Sequence, residues 1–350
     1  VIGVFCASDL LTFYILFEFS LVPLFFIIGI WGSNNKIYAA YKFFLYTLLG
    51  STGFLVAIIF IYKITNTLYF DDLIKILPTI DFKTQKILWV ALFISFAVKI
   101  PMFPFHTWLP DAHVQAPTAG SIMLAGILIK LGGYGMIKLL IPFFPMACQY
   151  FSPFVFTLSV IAIIYTSIVA IMQTDMKKLI AYSSIAHMGI VTSGLFAMNY
   201  EGINGAIFQM LSHGLISGGL FLCVGILYDR TKTREIISYN GLANKMPIFS
   251  FIFITFTMAS IGLPGTSGFV GEFLSMIGLF KVSKIFSILS ATGVILSACY
   301  MLFLCKNIIW GDKELKITDV EVFESIPLFM LLLSVMVLGI FPSLILSTIR

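Results

Sequence analysis

Long apolar runs separated by short polar breaks fill nearly the whole 350-residue chain. Read between those breaks, the sequence predicts a tail over residues 1–8 and ten full spans. These lie near 10–31, 40–62, 86–108, 117–140, 153–172, 179–198, 203–228, 247–281, 285–306 and 326–348. A helix needs about 20 mostly apolar residues to cross a hydrocarbon core of about 30 Å, and these runs reach that length. None alternates polar and apolar positions, so helices fit and barrel strands do not. The expected fold class is an all-α polytopic transmembrane helix bundle. Residues 1–8 read as the end of a span already under way. The chain opens on Val1 rather than Met, which predicts further sequence upstream.

Two runs carry breaks. The run 247–281 is too long for one simple helix, and Pro264 interrupts it among Gly262, Gly265 and Gly268. The run 86–108 contains Pro101 and Pro104. Proline has no N–H and clashes with the preceding turn, so the carbonyls of Ala97 and Ser260 are expected to lose their helical donors. Broken backbone is tolerated at membrane depth where it is buried in protein or lines a wet cavity. Transporters often place such breaks at corresponding points of an internal repeat. Five spans separate the two breaks here, and an odd count reverses direction, which fits two discontinuous helices in inverted five-helix repeats. The expected layout is one membrane domain over 1–350, with a first repeat at about 1–140, a second at about 153–306 and a final helix at 326–348. No sequence identity between the halves supports the repeat.

Composition sharpens the picture. The chain is 59% hydrophobic and only 11% charged, with a mean hydropathy of +1.04. An ordinary soluble domain carries about 25% charged residues. The net charge of +5 comes from basic residues scattered through short loops, with no basic stripe for nucleic acid. The five cysteines include no C-x-x-C pair, and Cys6, Cys223, Cys299 and Cys305 lie within or at the ends of apolar runs. They read as small buried hydrophobes rather than as metal or disulfide chemistry. No phosphate loop follows a strand, and no cluster has metal-ligand spacing. Gly132-Gly133-Tyr134-Gly135 sits inside a helix, where small residues serve helix packing. No nicotinamide, flavin, iron–sulfur or metal site is expected on this chain.

Loop charges give orientation. One side collects eleven basic residues: Lys36, Lys42, Lys177, Lys178, Arg230, Lys232, Arg234, Lys245, Lys306, Lys313 and Lys316. The other collects eight: Lys63, Lys75, Lys83, Lys86, Lys138, Lys281, Lys284 and Arg350. The bias places the first set on the matrix or cytoplasmic side and the C-terminus opposite.

The chemistry lies in the exceptions. Nearly all of the 21 basic and 16 acidic residues fall in loops, but Glu18, Lys99, Lys130 and Glu272 have apolar sequence on both sides. A charge near the bilayer midplane costs about 2.5–3.5 kcal/mol on insertion scales. Four of them would cancel much of a typical net stability of about 5–15 kcal/mol. They must be paired, hydrated or neutralised. Glu18 suits a structural ion pair or a titrating carboxylate. Lys99 sits two residues before Pro101, too deep in its span to snorkel, and suits a proton relay. Lys130 lies mid-span, with structural pairing as its alternative. Glu272 follows the second break as Lys99 adjoins the first. Two span histidines extend the series. Gln209, His213 and Ser217 are spaced i, i+4, i+8 on one helix face, and Ser183 and His187 repeat the i, i+4 spacing. Each histidine is either a satisfied core group or part of a proton path, since imidazole titrates near neutral pH. His106 and His113, beside the Pro-rich segment, rank lower.

At this point the residues resemble a known family. Phe96-Ala97-Val98-Lys99-Ile100-Pro101-Met102-Phe103-Pro104-Phe105-His106-Thr107-Trp108-Leu109-Pro110-Asp111-Ala112-His113, continuing through Ala116-Pro117-Thr118-Ala119-Gly120-Ser121, is similar to the signature of antiporter-like membrane subunits of respiratory complex I. Leu179-Ile180-Ala181-Tyr182-Ser183-Ser184-Ile185-Ala186-His187-Met188 and Leu211-Ser212-His213-Gly214 resemble two further blocks. The resemblance covers essentially the whole chain. It implies a proton path through Glu18, Lys99, Lys130, His187 with His213, and Glu272, in that order. A terminal glutamate resembles the subunit-4 branch, whereas sister branches usually carry lysine there.

The family has about four helices before the glutamate span, where this sequence has only residues 1–8. The remainder is expected as further chain or as a separate polypeptide. The resemblance implies a proton-translocating subunit of an NADH:ubiquinone reductase in the mitochondrial inner membrane. Its partners would be other membrane and peripheral subunits, and lipids. NADH, FMN, iron–sulfur clusters and ubiquinone would be bound by other subunits. The alternative is a subunit of a multisubunit cation/proton antiporter.

Overall fold

A computed structural model describes residues 1–312 and 317–349. Lys313, Lys316 and Arg350, counted among the loop charges above, lie outside the described residues. Among the described residues every regular element is a helix, with two isolated β-bridges, Asp9–Tyr69 and Asp175–Glu235. Among the described residues, eight helices are long and apolar enough to cross a membrane: Leu10–Trp31, Lys36–Thr65, Thr118–Phe143, Pro145–Ile171, Met176–Phe196, Tyr200–Thr231, Lys284–Ile309 and Val322–Ile340. The other two expected spans are the ones with proline breaks, and both are divided. The first becomes Phe82–Lys99 and Trp108–Gln115, and the second becomes Pro247–Ile261 and Ser267–Val282. The tail contributes a short helix, Ile2–Cys6.

The chain forms two compact units. The first comprises Val1–Gly120 and Ile127–Leu158; the second comprises Ser121–Gly126 and the chain from Ser159 onward. In the first unit, the core gathers Phe13, Phe17, Phe54 and Phe96, whose rings meet at 5.4–6.4 Å between centroids. Aromatic contacts of this kind fix geometry as well as bury area. In the second unit, Phe221, Phe249, Phe253 and Phe256 with Tyr300 and Met301 belong to one buried apolar cluster.

The Ala97 carbonyl has no i+4 donor, as expected of Pro101, but it is not left open, because the Met102 N–H donates to it at 2.8 Å. The chain turns sharply after Pro101 and brings the next available donor back to it. The cysteines also divide: Cys148, Cys223 and Cys305 are buried, but Cys6 and Cys299 are exposed. An apolar face turned toward lipid accepts a thiol as readily as a core does. Cys148, the one outside the apolar runs, takes the Trp89 indole N–H at 3.1 Å.

Candidate functional site

In the second unit the long helix Tyr200–Thr231 packs against Ser267–Val282 through small residues. A Cβ on Gly271 would lie 2.6 Å from the Gln209 Cα, so a side chain there would force the helices apart. The close approach places Glu272, the next residue, among the polar groups of three helices. Its Oε1 lies 2.7 Å from His187 Nδ1 and accepts from Gln209 Nε2 at 3.2 Å. His187 Nε2 faces the Ser260 hydroxyl at 3.4 Å, and its ring meets that of His213 edge-on at 5.6 Å. Ser217 donates to the His213 carbonyl at 2.5 Å. Glu272, His187 and His213 are 4–5% exposed, so the pair sits in a medium where an unpaired carboxylate would be costly.

The break in the second divided helix opens this place. Gly262 has φ +87, a left-handed conformation that L side chains rarely adopt, and Glu272 Oε2 would lie 3.1 Å from a Cβ there. The backbone therefore turns where the carboxylate needs room. Two small cavities, each of about 10 Å³, adjoin the pair. One is lined by Ser183, Gln209, His213, Ser217 and Ser260; the other by Ala186, Ser297 and Tyr300; His187 and Glu272 border both.

In the first unit, Lys99 is 3% exposed at the end of Phe82–Lys99. Its Nζ donates to the Phe17 carbonyl at 3.4 Å and lies 4.5 Å from the centroid of the Phe17 ring. Glu18 is the next residue along. Its two carboxylate oxygens are buried and have no hydrogen-bond partner among the described residues. The two charges act on each other electrostatically without touching. The Lys130 helix packs onto the same break: a Cβ on Gly132 would lie 2.6 Å from the Phe96 carbonyl oxygen and 2.8 Å from the Ile100 nitrogen. Lys130 itself is 7% exposed and stands between two π-helical stretches, Leu124–Leu128 and Met136–Leu140. Such wide turns are frequent at functional sites, and no residue pattern announced them.

The structure thus brings His187, His213 and Glu272 together, and brings Lys99 to the Glu18 helix. His106 and His113 are buried as well, at 4% and 0% exposure. Sequence reading missed Tyr300 and the Ser260 hydroxyl. Ser290, Gly293, Ser297 and Tyr300 do fall at helical spacing on one face, a signal too weak to stand out from packing.

Comparison with known proteins adds the ancestry. The family model described as "NADH:quinone oxidoreductase/Mrp antiporter, TM" matches residues 7–298. NADH-quinone oxidoreductase subunit M of Rhodobacter capsulatus is 53% identical over 359 residues, covering 98% of this chain and 70% of that protein. NADH-ubiquinone oxidoreductase chain 4 of Marchantia polymorpha is 53% identical over 353 residues, covering 99% of this chain and 70% of its own length. Among solved structures, respiratory complex I from Thermus thermophilus with bound NADH superposes with a TM-score of 0.94 at 32% identity, over 98% of this chain and 73% of that one. With its divided helices, buried charges and bacterial and plant relatives, the chain belongs to the NADH:quinone oxidoreductase/Mrp antiporter transmembrane family.

Proposed function

We propose that this chain is a subunit of the M or chain 4 type in an NADH:quinone oxidoreductase, and that it moves protons through its buried charges. The observation that carries the reading is the His187–Glu272 pair, joined at 2.7 Å inside a helix bundle and bordered by water-sized cavities. A carboxylate and an imidazole at that distance exchange a proton without moving heavy atoms, and the pair need never hold an isolated charge. Glu18 and Lys99 form the corresponding station in the first unit, and Lys130 is the central carrier. His213 hands protons to His187, and Glu272 is the terminal group.

On this reading the chain performs no redox step. NADH, FMN, iron–sulfur clusters and ubiquinone belong to other subunits, and quinone reduction there drives the titration here. The membrane is the mitochondrial inner membrane, with lipids around the bundle and other subunits of the complex beside it.

Affinity purification of the tagged chain from mild detergent tests the assembly. Flavin- and iron–sulfur-containing chains should co-purify, and the complex should reduce quinone with NADH. Their absence, together with cation-dependent proton exchange in vesicles, would favour the antiporter reading instead.

A further inference from the structure

Tyr300 is wholly buried, and its hydroxyl has no hydrogen-bond partner among the described residues. A buried hydroxyl left unmade costs about 1–3 kcal/mol, and native structures hold few of them. This one does not face apolar packing alone. It lines the second small cavity together with His187, Glu272 and Ser297, and that cavity has room for about one water. Ser167 lies beside it, also buried and also without a well-formed hydrogen bond. Ser290, on the same face of the Lys284–Ile309 helix, is a third such buried hydroxyl.

The placement matters because His187 and Glu272 border both cavities. On one side of the pair stand His213, Ser217 and Gln209; on the other stand Tyr300 and Ser297. The pair is therefore a partition, and a proton that crosses it must have an acceptor beyond it. We propose that Tyr300 is that acceptor, the relay residue that takes the proton leaving Glu272 on the side away from His213.

The step balances without a charged phenol. The protonated Glu272 carboxyl gives its proton to a water in the second cavity, and that water gives one of its own to the Tyr300 oxygen. Tyr300 releases its original proton toward Ser167 and Ser297, and rotation of its hydroxyl resets it. One proton enters and one leaves, and no electron moves. The groups facing Tyr300 that titrate are Glu272, from Ser267–Val282, and His187, from Met176–Phe196. This inference rests on the proton-translocation reading above.

The test uses the intact complex in sealed vesicles. Tyr300→Phe keeps the ring and removes only the hydroxyl. The complex should assemble, NADH-driven proton uptake should fall about tenfold or more, and the solvent deuterium isotope effect should rise. Wild-type uptake in Tyr300→Phe overturns the inference. Glu272→Gln is measured beside it. If that variant is blocked while Tyr300→Phe is normal, only the Tyr300 step falls; if both pump normally, the translocation reading falls as well. A slow Tyr300→Phe beside a normal Glu272→Gln also overturns the inference, because its donor is then idle. Should the Phe variant fail to assemble, 3-fluorotyrosine at position 300 keeps the shape and makes the phenol more acidic. The rate of proton uptake and its solvent deuterium isotope effect should then change, and values unchanged from wild type overturn the inference.

Discussion

The helix ends at Thr65 and Thr231 are built alike. At each, the threonine hydroxyl bonds back to the preceding turn and to the carbonyl two residues on. The next residue, Asn66 or Lys232, is left-handed at φ 55 or 56. A β-bridge then ties the following residues to the N-cap of a span, Asp9 in the first unit and Asp175 in the second. These features, like the helices Thr118–Phe143 and Lys284–Ile309, recur 166 residues apart.

The frame is shared, but what it holds is not. Thr47 and Ser51 occupy in the first unit the places that His213 and Ser217 occupy in the second. The first unit keeps its acid and base apart, with Lys99 on the Phe17 ring and the Glu18 oxygens unbonded. The second joins them, with Glu272 held by His187 and Gln209. The salt bridges between long and divided helices are also exchanged: Lys42 meets Asp111, whereas Glu201 meets Lys281. The lesson is that backbone geometry and polar content vary independently. The separated pair needs water or movement to pass a proton, and the joined pair does not.

The largest expected effect comes from breaking the joined pair. His187→Phe leaves a buried carboxylate with Gln209 alone, and losing one partner of a buried pair costs about 3–5 kcal/mol. Thermal unfolding of the complex, or loss of the chain from it, should show the damage. Unchanged stability would mean that Glu272 is already neutral without the histidine. Next comes the separated pair. Lys99→Met preserves length, so assembly should persist while proton uptake and coupled turnover fall strongly. Lys99→Arg should rescue poorly, because a guanidinium stays charged and cannot cycle. Normal uptake with methionine there would remove Lys99 from the path.

A smaller effect is expected from Gly271→Ala, which adds a methyl against the Gln209 backbone. Overpacking of this kind costs about 1–3 kcal/mol, and the shift should slow proton uptake by moving Glu272. An unaffected rate would show that the close approach does not position the carboxylate. The smallest separates the two helix ends. The Thr231 hydroxyl also meets the Tyr239 hydroxyl at 2.7 Å, an addition that the Thr65 end lacks. Thr231→Val should therefore cost more than Thr65→Val, each within about 0.5–1.5 kcal/mol per lost bond. Burial is the main cause holding the Tyr239 phenol above its ordinary 10.0. Its folded form thus favours the neutral phenol, and that contribution is complete below pH 10.0 and fades as pH rises beyond it. Tyr239→Phe should flatten the alkaline end of the unfolding profile; an unchanged slope there would place the loss elsewhere.

Much of this was legible in the sequence, and for identifiable reasons. Span lengths and the two breaks follow from runs of apolar residues and from prolines, which act locally. Glu18, Lys99, Lys130 and Glu272 stand out because charge in an apolar run is expensive wherever the chain goes. The two breaks predict a repeat, but its 166-residue register was not legible, because identities such as Asp9 with Asp175 and Thr65 with Thr231 are few and Asn66 and Lys232 share only a backbone conformation. The capture of the Ala97 carbonyl by Met102 depends on a turn that proline only permits. Tyr300 was hidden for a different reason: a tyrosine on a span is ordinary until its hydroxyl is found buried without a partner.

The most direct measurement is proton uptake by sealed vesicles holding the complex with Glu272→Gln. Glutamine keeps the shape beside His187 and Gln209 and removes only the titrating proton. The complex should assemble with its redox subunits and lose proton transfer, with Glu272→Asp retaining part of it and Glu272→Lys impaired less than Glu272→Gln. Wild-type uptake in Glu272→Gln would contradict the claim and leave the pair a structural one.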